Sequence, residues 1–357
     1  MTALILFVVP ALAGAALGYE MSENRINSIP TAVIDHDNSE FSRELINYIN
    51  ESDIFDITYR AATDGDIERR IFEGEAFVGV IIPEGLYAGI LSGAAPEVMA
   101  VYDGTFMIVA AGAKAAMAEI MQTVKAGYML KVYESKLGIP ETEAIKMVQP
   151  FEPTYRVLYN PARNYRNFFL PGLITAIIQV GIVIIGLERA KEERTSFSRD
   201  IVKISETGLV GALSIAANMA LQYCFFGMPF YGSVLAFAAL TILFSICMAA
   251  FGYIFGKAIP DKVLSTQLAC LFVLPAAILG GYTFPLIAMP AFFRGLRLII
   301  PLSYYGEDLR NLTLKELDIT YFTSSMLYFL IFLCAEIIAL YGITAVSRRR
   351  ERGYGSA

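Results

Sequence analysis

The 357-residue sequence predicts an α-helical polytopic membrane protein, with six transmembrane helices and an inserted mixed α/β extracytoplasmic domain. Three observations carry that reading. The chain is 56 % hydrophobic with a mean hydropathy of +0.54, whereas soluble domains are about 45–50 % apolar. Its charge is segregated: residues 20–166 hold 22 acidic and 13 basic residues, net −9, while the remainder is net +3 and the whole is −6. The chain outside that acidic block reads as long apolar runs separated by short charged segments. A water-exposed domain set between membrane segments explains all three.

A helix needs roughly 20 mostly apolar residues to cross the hydrocarbon core. Six stretches qualify: 2–19, 168–187, 208–227, 233–256, 264–281 and 321–346. The first has small residues at 11–16 that suit a signal-peptidase site, but no basic residue precedes it, so it reads as an anchor. Lys and Arg concentrate in 188–206, 257–263 and the tail beginning at Arg348. By the positive-inside rule these segments are cytoplasmic, with both termini, and residues 20–166 lie outside. The expected domains are helix 1 at 1–19, the extracytoplasmic domain at 20–166, the remaining spans at 167–347 and a cytoplasmic tail at 348–357.

Within 20–166 the pattern alternates. Thr31–Ile34, Ile54–Tyr59, Ala76–Ile82, Val98–Tyr102 and Tyr155–Tyr159 read as strands. Ser39–Asn50, Asp64–Phe72 and Pro83–Leu91 read as helices, the last opening on its proline, and 106–136 as a long helical run. Pro150 and Pro153 break the chain after it. Such alternation implies a mixed α/β domain. Residues 282–320 are apolar yet interrupted by Pro285, Pro290 and Pro301, too broken to span. A re-entrant pair of short helices over about 282–305 fits, since irregular backbone at membrane depth needs protein or water around it.

Several chemistries find no residues. The cysteines Cys224, Cys247, Cys270 and Cys334 all lie in apolar stretches and read as packing residues. With His36 the only histidine, a zinc site on His ligands is not expected, and no metal site is assigned. No nucleophile–base pair is visible, so no catalytic residue is assigned, and no nucleic-acid partner is expected. Asp35, His36 and Asp37 follow a strand and precede a helix, where such residues cap; Asp37 with Glu40 has capping-box spacing. A phosphate-cradling loop requires G-x-x-x-x-G-K-[ST]. The nearest string, Gly252-Tyr-Ile-Phe-Gly256-Lys257-Ala258, is short and lacks the hydroxyl, so it reads as the end of the fourth span.

Two motifs stand where the chain enters or leaves the membrane. One is Tyr159-Asn160-Pro161, Asn164, Asn167, Phe168-Phe169, Pro171-Gly172; the other is Gly281-Tyr282-Thr283-Phe284-Pro285, Met289-Pro290 and Ile300-Pro301-Leu302-Ser303-Tyr304-Tyr305. Together with the first span, the large outer domain and the charged 188–205 segment, they resemble the ABC-2 type transporter permease family over nearly the whole chain. The similarity is greatest to the multidrug-export-like members with a large extracytoplasmic domain after the first helix. Val33-Ile34-Asp35-His36-Asp37-Asn38-Ser39 is similar to the opening of that domain.

The resemblance implies a subunit without cofactor of its own, paired with a second permease chain, identical or not. ATP and Mg would be bound by a separate ATP-binding subunit. A periplasmic adaptor is a further partner it allows, and lipid surrounds the spans. The 188–205 segment is then the leading ATPase-coupling element, with Glu188, Arg189, Glu192, Glu193 and Arg194 as contacts. Glu336, near the middle of the last span, is a polar intramembrane site, either functional or bonded to Asn218, Gln222 or Gln267. A proton-coupled transporter using Glu336 and a membrane-anchored receptor or scaffold stand as alternatives to an exporter.

Overall fold

The structure, a computed structural model, describes residues 4–21, 27–149, 151, 156–161, 164–192 and 196–354. It divides into two compact units, Arg25–Arg156 and the pair Met1–Asn24 with Val157–Ala357. Among the described residues six helices are long and apolar enough to cross a membrane: Met107–Ser135, Tyr165–Lys191, Phe197–Phe226, Val234–Ala258, Lys262–Leu279 and Ile319–Val346. The last five match the expected spans. The expected first span appears as a shorter apolar helix, Leu6–Glu20, comprising a π-helical turn and α1 (Val9–Glu20). Met107–Ser135 joins the count by length and composition, but its contacts place it against a β-sheet.

That sheet is the centre of the 25–156 unit. Its strands are β1 (Ile29–Asp35), β2 (Phe55–Arg60), β3 (Val78–Ile82) and β4 (Met99–Tyr102), in the order β2-β1-β3-β4. β1 runs parallel to β2 and β3, and β4 antiparallel to β3. Parallel neighbours need long crossovers, and α2 (Glu40–Asn50) and α3 (Asp64–Phe72) supply them. Ser39, rather than Asp37, is the N-cap of α2 and accepts from the Ser42 amide at 3.0 Å. Asp35 instead closes the preceding turn through the Asp37 and Asn38 amides, and Asp37 accepts from the Tyr87 amide at 3.1 Å. At α3, Thr63 and Asp66 form a reciprocal capping box, whose Thr63 hydroxyl and amide hold the Asp66 carboxyl below its ordinary pKa.

The buried run of β3 faces two cores. Val78, Val80 and Ile82 meet Leu45, Ile46 and Ile49 of α2 and Ala113, Ala116 and Met117 of α5 (Met107–Leu137). Burying each such Leu or Ile contributes about 1.5–3 kcal/mol. On the other face, Gly79 lets Ile67 of α3 approach: a Cβ there would lie 2.3 Å from Ile67 Cγ2. α4 (Leu86–Ser92) starts later than Pro83, because Gly85 adopts φ +73° and keeps Pro83 and Glu84 in a turn. The sequence reading omitted α6 (Glu141–Val148). Residues 156–159 form no strand, since Tyr159 takes φ +66° and breaks the extended run. Tyr155, Pro150 and Pro153 lie outside the described residues.

The other unit holds α1, α7 (Tyr165–Lys191), α8 (Phe197–Phe226), α9 (Val234–Ala258), α10 (Lys262–Val273), α11 (Ala276–Leu279), α12 (Ala291–Leu296), α13 (Pro301–Leu314) and α14 (Thr323–Tyr354). Pro275 separates α10 from α11 within the fifth apolar stretch. Over the 282–305 stretch the chain forms α12 and the start of α13, joined by a 3-10 turn at Arg297–Ile299. α9 is central and contacts α7, α8, α10, α13 and α14.

Small residues set the spacing around α9. In a membrane, helices gain from close backbone approach rather than from hydrophobic exclusion. A Cβ at Gly252 would lie 2.1 Å from the Val183 carbonyl oxygen, and one at Gly256 2.6 Å from that of Leu187. Gly186 faces Ala249 in the same way, and Gly208 and Gly211 of α8 admit Ile246 and Ile182. The Gly252–Gly256 string is therefore a packing surface on α7. Gly252→Ala should destabilise the protein by about 1–3 kcal/mol through this clash, despite the better helix propensity of Ala. Gly342→Ala, in open space, should not destabilise it. Thermal unfolding in detergent checks both, and equal midpoints for the two variants would contradict the packing account.

Candidate functional site

The bundle presents two polar constellations, one at each end of α7. Where α7 begins, Asn160 and Asn164 bond reciprocally: the Asn160 side chain donates to the Asn164 carbonyl and accepts from its amide, both at 3.0 Å. Asn164 then caps α7, accepting from the Asn167 amide at 3.2 Å. Pro161 follows Asn160 in the turn ahead of this cap. Two turns on, Pro171 lies inside the helix and has no N–H to donate.

The next link of α7 is replaced by a side chain. The Gly172 amide donates to the Tyr282 hydroxyl at 2.9 Å, and that hydroxyl donates to the Phe168 carbonyl at 3.0 Å. Tyr282 is thus spliced into the i→i−4 ladder, a known cause of helix bending. Its buried ring fits because Gly172 and Gly306 lack Cβ atoms, which would lie 2.1 Å and 2.8 Å from it. Arg310 of α13 locks the arrangement. Its Nε donates to the Phe168 carbonyl at 3.3 Å and another guanidinium nitrogen to the Tyr282 carbonyl at 2.8 Å. The same guanidinium lies 3.9 Å and 4.2 Å from the Phe168 and Tyr282 ring centroids. The structure therefore joins the two sequence motifs through Pro171, Gly172 and Tyr282. Sequence reasoning missed Gly306 and Arg310; both lie in α13 just beyond the motif that ends at Tyr305.

The other motif prolines act as starts. Pro285 precedes the 3-10 turn Leu286–Ala288, Pro290 caps α12 and Pro301 opens α13, while Phe284 is half-exposed. Behind Pro301, Tyr305 stacks on Phe244 at 4.4 Å and bonds Thr241 Oγ1 at 2.8 Å, fixing α13 to α9.

At the opposite end of α7 the expected 188–205 loop is mostly helix. α7 continues to Lys191 and α8 begins at Phe197. The reason is charge pairing between the two helix ends. Arg189 bonds Glu206 at 2.6 Å, Thr207 at 3.2 Å and the Lys203 carbonyl at 3.3 Å; Lys203 reaches Glu192 at 3.1 Å. Glu188 pairs with Lys262 at the start of α10 at 3.0 Å, and Lys191 donates to the Ile259 and Pro260 carbonyls. Glu193 and Arg194 lie outside the described residues. Beneath this ring, Asp200 is fully buried, accepts from the Tyr253 hydroxyl at 2.6 Å and pairs with Lys257 at 3.2 Å. The sequence reading did not single out Asp200. Its signal is an acid in the first turn of α8, with Lys257 in the last turn of α9.

Glu336 of α14 is buried, and no described residue hydrogen-bonds either carboxyl oxygen. The partners considered for it are engaged or exposed: Asn218 donates to the Ser214 carbonyl, Gln222 to that of Gly14, and Gln267 is exposed. Among the described residues no group of three or more His, Cys, Asp or Glu could hold a metal.

An apolar helical bundle with Tyr282 spliced into α7 at one end and a charged platform at the other fits a multi-pass membrane subunit, and comparison with known proteins gives its family. A family model described as ABC-2 family transporter protein matches residues 1–346, and the chain belongs to that family. It is similar to the "Probable multidrug ABC transporter permease YbhR" of Escherichia coli (strain K12), 20 % identical over 331 residues covering 88 % of this chain and 86 % of that protein. It is also similar to the "Probable multidrug ABC transporter permease YbhS" of the same organism, 27 % identical over 221 residues, 57 % of this chain and 58 % of that one. No solved structure matches.

Removing the Tyr282 hydroxyl leaves the Gly172 amide and one Phe168 bond without it. Tyr282→Phe should therefore cost about 1–2 kcal/mol, while Phe284→Leu, at a half-exposed ring, should stay within about 0.5 kcal/mol. Unfolding midpoints of the two variants measure this; equal midpoints would mean that the splice adds nothing.

Proposed function

We propose that this chain forms the membrane path of an ABC exporter that moves an amphipathic or hydrophobic compound outward, using ATP hydrolysed by a separate subunit. The observation that carries the reading is the charged platform where α7, α8 and α10 meet. Glu188, Arg189, Glu192, Lys203 and Glu206 form there a partly exposed mixed-sign surface. Exposed pairs of this kind contribute only about 0–1 kcal/mol each to the fold. They can exchange partners with a docking protein at little cost, and electrostatic complementarity then sets which partner is accepted. ATP and Mg belong to that partner, and a second permease chain completes the path. The names of the relatives support a hydrophobic or amphipathic cargo. The distribution of Lys and Arg supports the platform and the C-terminal arginines on the cytoplasmic side and the 25–156 unit outside.

Two experiments test the reading. In a background with the native cysteines replaced, an impermeant maleimide added to intact cells should label a cysteine at Asp103 and miss one at Ser196; the reverse pattern overturns the orientation. Charge reversal by Glu192→Lys with Glu193→Lys should leave the amount of protein in the membrane unchanged, because Glu192 itself is exposed although its partner Lys203 is not, and the expected cost is about 1 kcal/mol. Transport and substrate-stimulated ATP hydrolysis by the assembled complex should be lost. Normal transport by this variant would place docking elsewhere, with Lys257, Asp261 and Lys262 the next segment to reverse.

A further inference from the structure

Arg166, in the first turn of α7, is the one Lys or Arg that is buried among the described residues, with 7 % of its surface exposed. No described residue accepts a hydrogen bond from it, and its Nε is wholly buried without a partner. Its ring contact is weak, with the guanidinium 6.0 Å from the Phe226 centroid. Arg310, by contrast, has two carbonyls and two rings. The bundle also leaves acceptors unused on the same helix as Phe226. Gln222 Oε1 and Asn218 Oδ1 are buried and unpaired, yet neither accepts from Arg166. An enclosed cation without an anion costs several kcal/mol, and no described residue supplies one here.

We propose that Arg166 binds the phosphate of an anionic phospholipid, with the acyl chains laid along exposed apolar side chains at the ends of α1 and α8. Arg166 stands at the first turn of a spanning helix, the depth at which lipid headgroups lie. Guanidinium groups meet phosphate oxygens in paired, charge-assisted hydrogen bonds. Phe226 packs on α1 at Gly18, where an added Cβ would lie 3.0 Å from the ring. Tyr19 of α1 and Tyr223 and Phe225 of α8 border that seam and are exposed. They give the acyl chains an apolar surface below the headgroup. The site is independent of what the protein transports.

The test uses the full chain in neutral detergent, with thermal unfolding followed as lipid is added in mixed micelles. Phosphatidylglycerol should raise the midpoint of the wild type, whereas phosphatidylcholine and inorganic phosphate should not. Arg166→Gln should weaken the apparent affinity for phosphatidylglycerol at least about tenfold, and Arg166→Lys, which keeps the charge but not the paired bonds, should retain only part of it. If Arg166→Gln does not fold, native mass spectrometry of the wild type in an equimolar lipid mixture decides, preferential retention of phosphatidylglycerol being the supporting result. An undiminished phosphatidylglycerol effect in Arg166→Gln overturns the proposal. So does equal retention of both lipids, or an effect of inorganic phosphate equal to that of the lipid, which would reduce the site to one for a small anion.

Discussion

The membrane unit depends on one hydroxyl. Pro171 removes a donor from α7, and the helix is completed one residue later only because Tyr282 stands between Gly172 and Phe168. The tyrosine arrives from the broken stretch after α11, so α7 and that stretch cannot be built separately. Each depends on the other for its backbone hydrogen bonds, and unsatisfied backbone groups are costly at membrane depth. Gly172, Gly306 and Arg310 follow from that constraint: two glycines admit the ring, and a cation fixes its carbonyl and faces its π surface.

Packing extends the constraint through the bundle. α13 carries Gly306 and Arg310 on the side of Tyr282, and Tyr305 on the side of α9. The ring of Tyr305 lies flat on Phe244, in the middle of the helix that also receives α7 through Gly252 and Gly256. A displacement of α7 at Pro171 therefore has to be accommodated at α13 and α9 together. Close-packed interiors behave in this way: they resist continuous deformation and move between discrete arrangements.

Much of this was legible in the sequence, and the failures have physical causes. Apolar runs long enough to span gave five helices, and strand–helix alternation gave β1 to β4 with α2 and α3, because the pattern has the period of the element it forms. The two membrane-boundary motifs were visible as clusters of Pro, Gly, Asn and aromatic residues. That Tyr282 meets Gly172 was not, since the contact spans 110 positions and sequence periodicity reports only local structure. The 188–205 segment read as a loop because its charges resemble solvated connections, whereas pairing of Arg189 with Glu206 and Lys203 with Glu192 let both helices continue. Met107–Ser135 shows the converse ambiguity. Its length and composition suit a span, and only its contacts with β3 and α2 assign it to the sheet.

The two ends of α7 are fastened by different physics. At the start, buried hydrogen bonds to backbone groups hold Tyr282 and Arg310, and salt does not screen such contacts appreciably. At the other end two layers coexist. The outer ring of Glu188, Arg189, Glu192 and Lys203 is partly exposed and contributes little to the fold, so its pairs can be exchanged. The inner pair of Asp200 with Lys257, braced by Tyr253, lies beneath it, and opening that pair would leave a buried charge at a cost of about 3–5 kcal/mol. A partner that rearranges the outer ring would therefore leave α8 and α9 tied together. The discontinuity at Pro171 is the place along α7 where regular hydrogen bonding does not resist a change of angle.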